Sequence, residues 1–285
     1  MNSTETKHIR FGHSPDPDDA FMFYAFAYET IPMRGFKVTH VIEDIESLNQ
    51  RALKNAELEV TAVSCHAYAY LADKYAVMRS GASIGEKYGP ILVSRTANSS
   101  LDAHSIRGKK IAIPGKLTTA YLALQIFQRD FQAVFIPFDK IMDAVKEGFV
   151  DFGLVIHEGQ LTHASEGLHK VLDLGEWWHQ TTGLPLPLGV DVIRKDLGKE
   201  TMREFGLLFK ESIEHSLKHR QPALDYAIQY GRGLNPELND KFVGMYVNDR
   251  TVEIGADGEA GFRRLLDEGY KKGIIPKPVS IEFVS

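Results

Sequence analysis

Three short segments carry side chains whose types and spacing suit chemistry. The first is Ser14-Pro15-Asp16-Pro17-Asp18-Asp19, three acids and a hydroxyl on a backbone stiffened by two prolines. It lies between a strand-like run and a helical run, where open α/β sheets place their ligands. Its acids could accept hydrogen bonds from a polyol or an amine. An Asp-rich helix cap is the plainer reading. The second is Ile113-Pro114-Gly115-Lys116-Leu117-Thr118-Thr119-Ala120, again at a strand-to-helix turn. Helix-start N–H groups beside two hydroxyls suit a carboxylate or phosphate. It is no phosphate-binding P-loop, because Gly108 stands seven positions before Gly115 and Leu117 follows the lysine. Here the plainer reading is a capped helix. The third is Ile156-His157-Glu158-Gly159, at the end of a buried-looking strand. A histidine there can exchange protons near neutral pH, or can be a satisfied structural residue.

Other chemical candidates are weaker. His163 lies too far from His157-Glu158 for a zinc-protease pair, and the eleven histidines show no other metal-ligand spacing. No required metal is expected. Cys65, the single cysteine, rules out an internal disulfide and a cysteine-based zinc site. It reads better as a small buried filler than as a nucleophile. Trp177 and Trp178 read as packing residues. The Leu184-Pro185-Leu186-Pro187-Leu188-Gly189 alternation reads as a stiff extended crossover.

The elements that must position these residues follow from periodicity. Residues 8–12, 36–42 and 58–63 read as strands. A helix is expected through Phe21, Met22, Tyr24, Ala25 and Tyr28 with acids in its first turn, and others over 45–53 and over 64–72 with Ser64 as N-cap. The middle repeats the pattern, with strands at 110–113, 132–136 and 152–156 and helices at 118–128 and 141–146. Gly148 sits where a helix C-terminal glycine belongs. After a strand at 190–193 the chain becomes helical, over 201–218, 222–230, 236–247 and 259–272, with Pro222 and Pro236 in first turns. Residues 281–285 suit a docked strand. Alternating strands and helices imply a mostly parallel sheet with covering helices. Loops at 96–100 and 183–187 are the best boundaries.

Composition narrows the function classes. The 285 residues are 44% hydrophobic and 25% charged, so the chain is globular rather than disordered. With 33 Lys+Arg against 38 Asp+Glu the net charge is −5, which argues against a general nucleic-acid binder. No stretch approaches the ~18 apolar residues of a membrane span. The polar start from Met1 to Lys7 lacks an apolar signal core, so a cytoplasmic location is expected.

Taken together the segments resemble the 1,4-dihydroxy-6-naphthoate synthases of the futalosine route to menaquinone. The resemblance rests on an ordered set running nearly end to end. It includes Ser14-Pro15-x-Pro17-x-Asp19-x-Phe21, Glu43-Asp44-Ile45-Glu46-Ser47-Leu48-Asn49, Arg79-Ser80-Gly81-Ala82 and Tyr88-Gly89-Pro90. It continues through Pro114-Gly115-x-x-Thr118-Thr119-Ala120-Tyr121, Gly153-Leu154-Val155-Ile156-His157-Glu158, and Trp177-Trp178 with Thr182-Gly183-Leu184-Pro185-Leu186-Pro187-Leu188-Gly189. It implies an α/β, two-lobed fold of the type II periplasmic-binding-protein kind with a ligand cleft between lobes. Residues 1–95 and 190–285 would form the larger lobe, and 96–189 a smaller inserted one.

The implied reaction converts cyclic dehypoxanthine futalosine to 1,4-dihydroxy-6-naphthoate, a carbon–carbon lyase step with neither metal nor organic cofactor. By the same resemblance His157 is the base, Thr118 and Thr119 hold a carboxylate, and Ser64 lines the cleft. Glu43 and Asp44 match an acidic turn of that cleft. Ser14, Asp16, Asp19, Asp44, Ser64 and His66 are the remaining expected substrate contacts. Where that family usually reads Ser-Pro-Cys-Pro-Asn-Asp-Thr-Phe, this chain has Asp16, Asp18 and Ala20. His66 is a further departure, and Asp16 with His66 is a candidate hydrogen-bonded pair. The expected partner is a small-molecule carboxylate rather than nucleic acid or membrane, with a homodimer left open. Two other functions share the fold: a non-catalytic solute-binding protein for a small carboxylate, and the related dehydratase acting on chorismate. The absent signal core and the strand-end histidine favour the lyase.

Overall fold

A computed structural model of the chain describes residues 6–97 and 102–284. The first part holds β1 (Lys7–His13), α1 (Pro17–Ala27), β2 (Phe36–Ile42), α2 (Ile45–Asn55), β3 (Val60–Ser64), α3 (Cys65–Tyr68), β4 (Tyr75–Val77) and β5 (Ser83–Gly85). The middle holds β6 (Ile91–Ser94), β7 (Lys110–Ile113), α4 (Thr119–Phe127), β8 (Gln132–Phe135), α5 (Ile141–Lys146), β9 (Phe152–Val155), α6 (Gly159–Thr162), β10 (His169–Asp173) and α7 (Leu174–Thr182). Then come β11 (Leu186–Arg194), α8 (Lys199–Lys218), α9 (Arg220–Ala227), α10 (Pro236–Tyr246), α11 (Asp249–Val252) and α12 (Gly255–Lys271). No helix among the described residues is long and apolar enough to cross a membrane.

The chain divides into two compact units. The first comprises 1–84, 189–256 and 280–285, and the second 85–188 and 257–279. The first unit's sheet runs β2-β1-β3-β11-β4, with β5 also paired to β11. β1 is parallel to β2 and to β3, while β11 is antiparallel to β3 and β4. The expected parallel sheet is thus a parallel core with antiparallel additions. Residues 281–284 add a further bridge, through Phe283 to Val77.

Burial explains the layers. α1 is apolar nearly all round, with Phe21, Met22, Phe23, Ala25 and Phe26 all buried, so it needs cover on more than one side. The sheet covers one side and α8 another. α8 turns a stripe of Met202, Phe205, Leu208, Phe209 and Ile213 inward. The centre is aromatic: Phe11 meets Phe23 edge-on at 4.6 Å and Phe209 at 5.0 Å, and Phe209 stacks on Phe23 at 5.4 Å.

The second unit's sheet runs β10-β6-β9-β7-β8. β7 is parallel to β8 and β9, while β6 is antiparallel to β9 and β10. Ile91, Val93, Ala112, Ile141, Val145 and Val155 form the core on one face. The boundary expected at 96–100 falls largely on residues 98–100, outside the described residues. The sequence reading put residues 257–279 with the first unit, whereas the contacts group them with the second. The reason is a close packing along α12. A Cβ on Gly261 would come within 2.6 Å of the Pro185 carbonyl oxygen, and one on Gly269 within 2.7 Å of Ile275 and 3.1 Å of Leu122. Arg129 also donates to the Lys272 carbonyl at 2.7 Å.

Two local differences have simple causes. The helix expected over 64–72 is α-helical only over α3. It continues as tight turns, in which Tyr70 N–H reaches the Ala67 carbonyl and Leu71 N–H the Tyr68 carbonyl, before β4 begins. The Leu-Pro segment enters β11 at Leu186 rather than staying a free crossover.

Phe209 is fully buried at the centre of the aromatic cluster. Phe209→Ala is expected to lower unfolding free energy by about 3–5 kcal/mol, read from the urea midpoint at unchanged slope.

Candidate functional site

Parallel strands send their following loops to one edge of a sheet. In the first unit, β1, β2 and β3 end at His13, Ile42 and Ser64, side by side. The expected site residues of this unit lie at or just beyond those ends. The 14–19 turn is closed internally: Ser14 N–H donates to Asp19 Oδ2 at 2.6 Å. Asp16 is the N-cap residue of α1, with Pro17 at the first helical position, yet its side chain makes no capping hydrogen bond. Its carboxylate instead meets Arg232, whose Nη2 also donates to the Pro15 carbonyl at 3.1 Å. Arg232 is a residue the sequence reading missed.

Behind the turn lies His13, buried and stacked on Phe23 at 4.2 Å. Its Nδ1 sits 3.0 Å from the Ser14 carbonyl, which can only accept, so Nδ1 carries the proton. Its Nε2 then accepts from Nδ1–H of His40 at 3.1 Å. Burial, reinforced by the neighbouring His40, holds His13 down to about 3, while burial lowers His40. The pair is therefore neutral at physiological pH.

Asp44 caps α2. Its Oδ1 accepts from the N–H groups of Glu46 and Ser47, and its Oδ2 from the Ser47 hydroxyl. That is the role of an N-cap acid. Ser64 is buried and held by a two-point clamp. Asn49 Nδ2 donates to Ser64 Oγ at 3.0 Å, and Ser64 N–H donates to Asn49 Oδ1 at 2.9 Å. Asn49, fully buried, is a second residue beyond the sequence reading. His66 follows in α3, also buried, its ring 5.9 Å from that of Tyr70. Cys65 is buried and forms no disulfide.

Asp191 on β11 is a third missed residue. It is 2% exposed, and its Oδ1 has no hydrogen-bond partner among the described residues. Gly81, in a left-handed conformation at φ +90°, makes room for it: a Cβ there would lie 2.1 Å from Asp191 Oδ2. Burial pushes the Asp191 carboxyl well above its usual range. Asp19 is raised likewise, by burial first and then by the charges of Asp18, Asp191 and Asp16. Both carboxyls therefore keep their protons to higher pH than an exposed carboxyl does.

In the second unit the relevant edge belongs to β7 and β9, which are parallel neighbours. β7 leads to Thr118 and Thr119, and β9 to His157. Thr118 is the N-cap of α4: its Oγ1 accepts from Tyr121 N–H at 3.2 Å and donates to the Gly115 carbonyl at 2.9 Å. Thr119 Oγ1 donates to the Leu188 carbonyl at 2.5 Å. In this arrangement an anion would be received by the N–H groups opening α4, with the hydroxyls setting their geometry. His157 is half-buried, its ring edge-on to Phe138 at 5.0 Å. Its backbone is left-handed, φ +55°. A non-glycine residue in that region is uncommon and turns its side chain out of the strand's course. Trp178 is core, donating Nε1–H to the Pro185 carbonyl at 3.1 Å. Among the described residues, no three His, Cys, Asp or Glu side chains gather to hold a metal ion.

The family model for menaquinone biosynthesis matches residues 9–271. The chain belongs to the menaquinone biosynthesis family. This family member is 36% identical to the 1,4-dihydroxy-6-naphthoate synthase of Thermus thermophilus, over 96% of this chain and 99% of that one. It is 34% identical to the enzyme of the same name from Streptomyces coelicolor, over 94% and 95%. It is an enzyme of menaquinone biosynthesis, a lyase by the class of these relatives. A crystal structure of a protein from Archaeoglobus fulgidus is 46% identical and superposes with a TM-score of 0.89, covering 94% of this chain and 98% of that one. The alkanesulfonate-binding protein of Xanthomonas axonopodis pv. citri, at 14% identity, shares the periplasmic-binding-protein fold with a TM-score of 0.72, covering 97% of each chain.

A carboxyl whose folded value is raised adds stability at acid pH and loses it as pH rises through that value. Asp191→Asn keeps the shape without the ionisation. In urea melts between about pH 5 and about pH 8, the wild-type protein is expected to lose more stability on going to neutral pH than the variant does.

Proposed function

We propose that this menaquinone-biosynthesis enzyme converts cyclic dehypoxanthine futalosine to 1,4-dihydroxy-6-naphthoate, with His157 as the general base. The observation that carries the reading is the placement of His157. It stands in a left-handed backbone conformation beyond β9, on the same sheet edge as the Thr118–Thr119 helix start beyond β7. Uncommon backbone geometry of this kind concentrates at functional sites. The relatives named 1,4-dihydroxy-6-naphthoate synthase support the choice of product.

The division of labour follows from the chemistry. Breaking the carbon–carbon bond at the spiro-fused sugar carbon requires loss of a proton from a hydroxyl or an acidic C–H. His157 takes that proton. The N–H groups opening α4, set by the Thr118 and Thr119 hydroxyls, receive the substrate carboxylate. Ser14, Asp16, Asp19, Asp44, Ser64 and His66 are the proposed further substrate contacts. Of these, Ser64 is fixed by Asn49, whereas Asp44 acts chiefly by holding the start of α2.

The test is direct turnover. The protein is incubated with cyclic dehypoxanthine futalosine and the naphthoate product is sought by mass. His157→Asn is expected to lower turnover by a factor of about 10²–10⁴ while substrate still binds. Full turnover in that variant would remove the histidine mechanism. Absence of product from the wild-type protein, with tight binding of some other acid, would favour a receptor function instead.

A further inference from the structure

The 14–19 turn carries three acids, Asp16, Asp18 and Asp19, on a backbone with two prolines. Its carboxyls are buried: Asp16 is 2% exposed, and Asp18 and Asp19 are each 9%. An ionised carboxylate at such a site is costly unless a cation and hydrogen bonds offset its lost hydration. Asp16 does not obtain this from the usual source, because its side chain caps no N–H of α1. The cation comes from Arg232, 216 residues away in sequence.

The segment around Arg232 is built to deliver that side chain. Arg232 lies between Gly231 and Gly233, after a short helical turn ending at Tyr230. Arg232 has φ +46° and Gly233 φ +87°, a left-handed pair, and Leu234 N–H closes the turn on the Gly231 carbonyl at 2.9 Å. A left-handed conformation is unfavourable for arginine, and surrounding contacts must hold it. The guanidinium then makes two contacts from one nitrogen, to the Asp16 carboxylate and to the Pro15 carbonyl at 3.1 Å. It thus grips both a side chain and the backbone of the turn. Asp16 in turn reaches its neighbours, since its charge acts on Asp19 and on His13.

We propose that Arg232 is a positioning residue that clamps the 14–19 turn, and that the Asp16–Arg232 pair fixes the shape in which the turn meets substrate. The clamp itself is a statement about the protein alone. Its effect on substrate rests on the function proposed above.

The experiment uses the full chain and reads the two parts separately. Hydrogen exchange of the peptide covering 14–20 is followed by mass spectrometry. Pro15 and Pro17 have no amide, so the signal reports Ser14, Asp16, Asp18, Asp19 and Ala20. Arg232→Met is expected to speed this exchange about tenfold or more, while peptides from β2 and α8 keep their wild-type rates. Arg232→Lys, which keeps the charge, is expected to recover part of the protection. Asp16→Asn removes the ion pair without stranding a charge, and provides the same reading should Arg232→Met fold poorly. Wild-type protection of the turn in both Arg232→Met and Asp16→Asn would overturn the clamp. In turnover, Arg232→Met is expected to raise KM about tenfold with kcat nearly unchanged. A fall in kcat at unchanged KM would overturn the positioning role. If the wild-type protein does not turn over the proposed substrate, the functional reading fails while the exchange result still decides the clamp.

Discussion

The chemistry of this protein depends on one constraint of parallel β-structure: neighbouring parallel strands release their chains at the same edge. β1, β2 and β3 impose this in the first unit, and β7 and β9 in the second. Segments distant in sequence therefore surface side by side without any contact designed to bring them together. The 14–19 turn, the cap at Asp44 and the Ser64–His66 segment gather in this way, and so do Thr118 and His157. The antiparallel strands β6, β10 and β11 widen the sheets without disturbing those edges.

A second principle works through burial. The first unit places carboxyl groups where ionisation is expensive and handles each differently. Asp16 is matched by a guanidinium, Asp19 accepts a backbone N–H and is raised by burial, and Asp191 is buried with one oxygen lacking a partner among the described residues. His13 and His40 add a neutral pair in the same neighbourhood. Near the turn the acids are thus not equivalent free charges, since Asp16 is ion-paired and burial raises Asp19 and Asp191.

Much of the frame was legible because it is written in local patterns. The strand before the 14–19 segment, the helix after it and the Pro114-Gly115 turn before α4 each have short-range signatures, and the structure contains all three, with α1 beginning already at Pro17. What escaped was non-local. Asp16 reads as a helix cap in sequence, and nothing nearby indicates that Arg232 takes its carboxylate. Asp191 sits in an apolar strand, where a lone polar residue reads as the outward face of an alternating pattern. Asn49 stood inside a recognised segment, yet its clamp on Ser64 exists only once α2 lies beside β3. The helix α12 was visible by periodicity, but an apolar stripe does not say which core it covers. Gly261 and Gly269 decided that through close approaches no sequence pattern displays.

The order of segments in the two units bears on how the chain is made. The first unit needs 1–84, 189–256 and 280–285, and the second needs 85–188 together with 257–279. A ribosome reading from the N-terminus therefore finishes neither unit early. Until residue 279 has emerged, the surface around Leu122 and Pro185 waits for α12, and β4 waits still longer for Phe283. Synthesis of this enzyme consequently passes through a stage in which each of two cores still lacks a piece that only the stretch from residue 257 to residue 284 supplies.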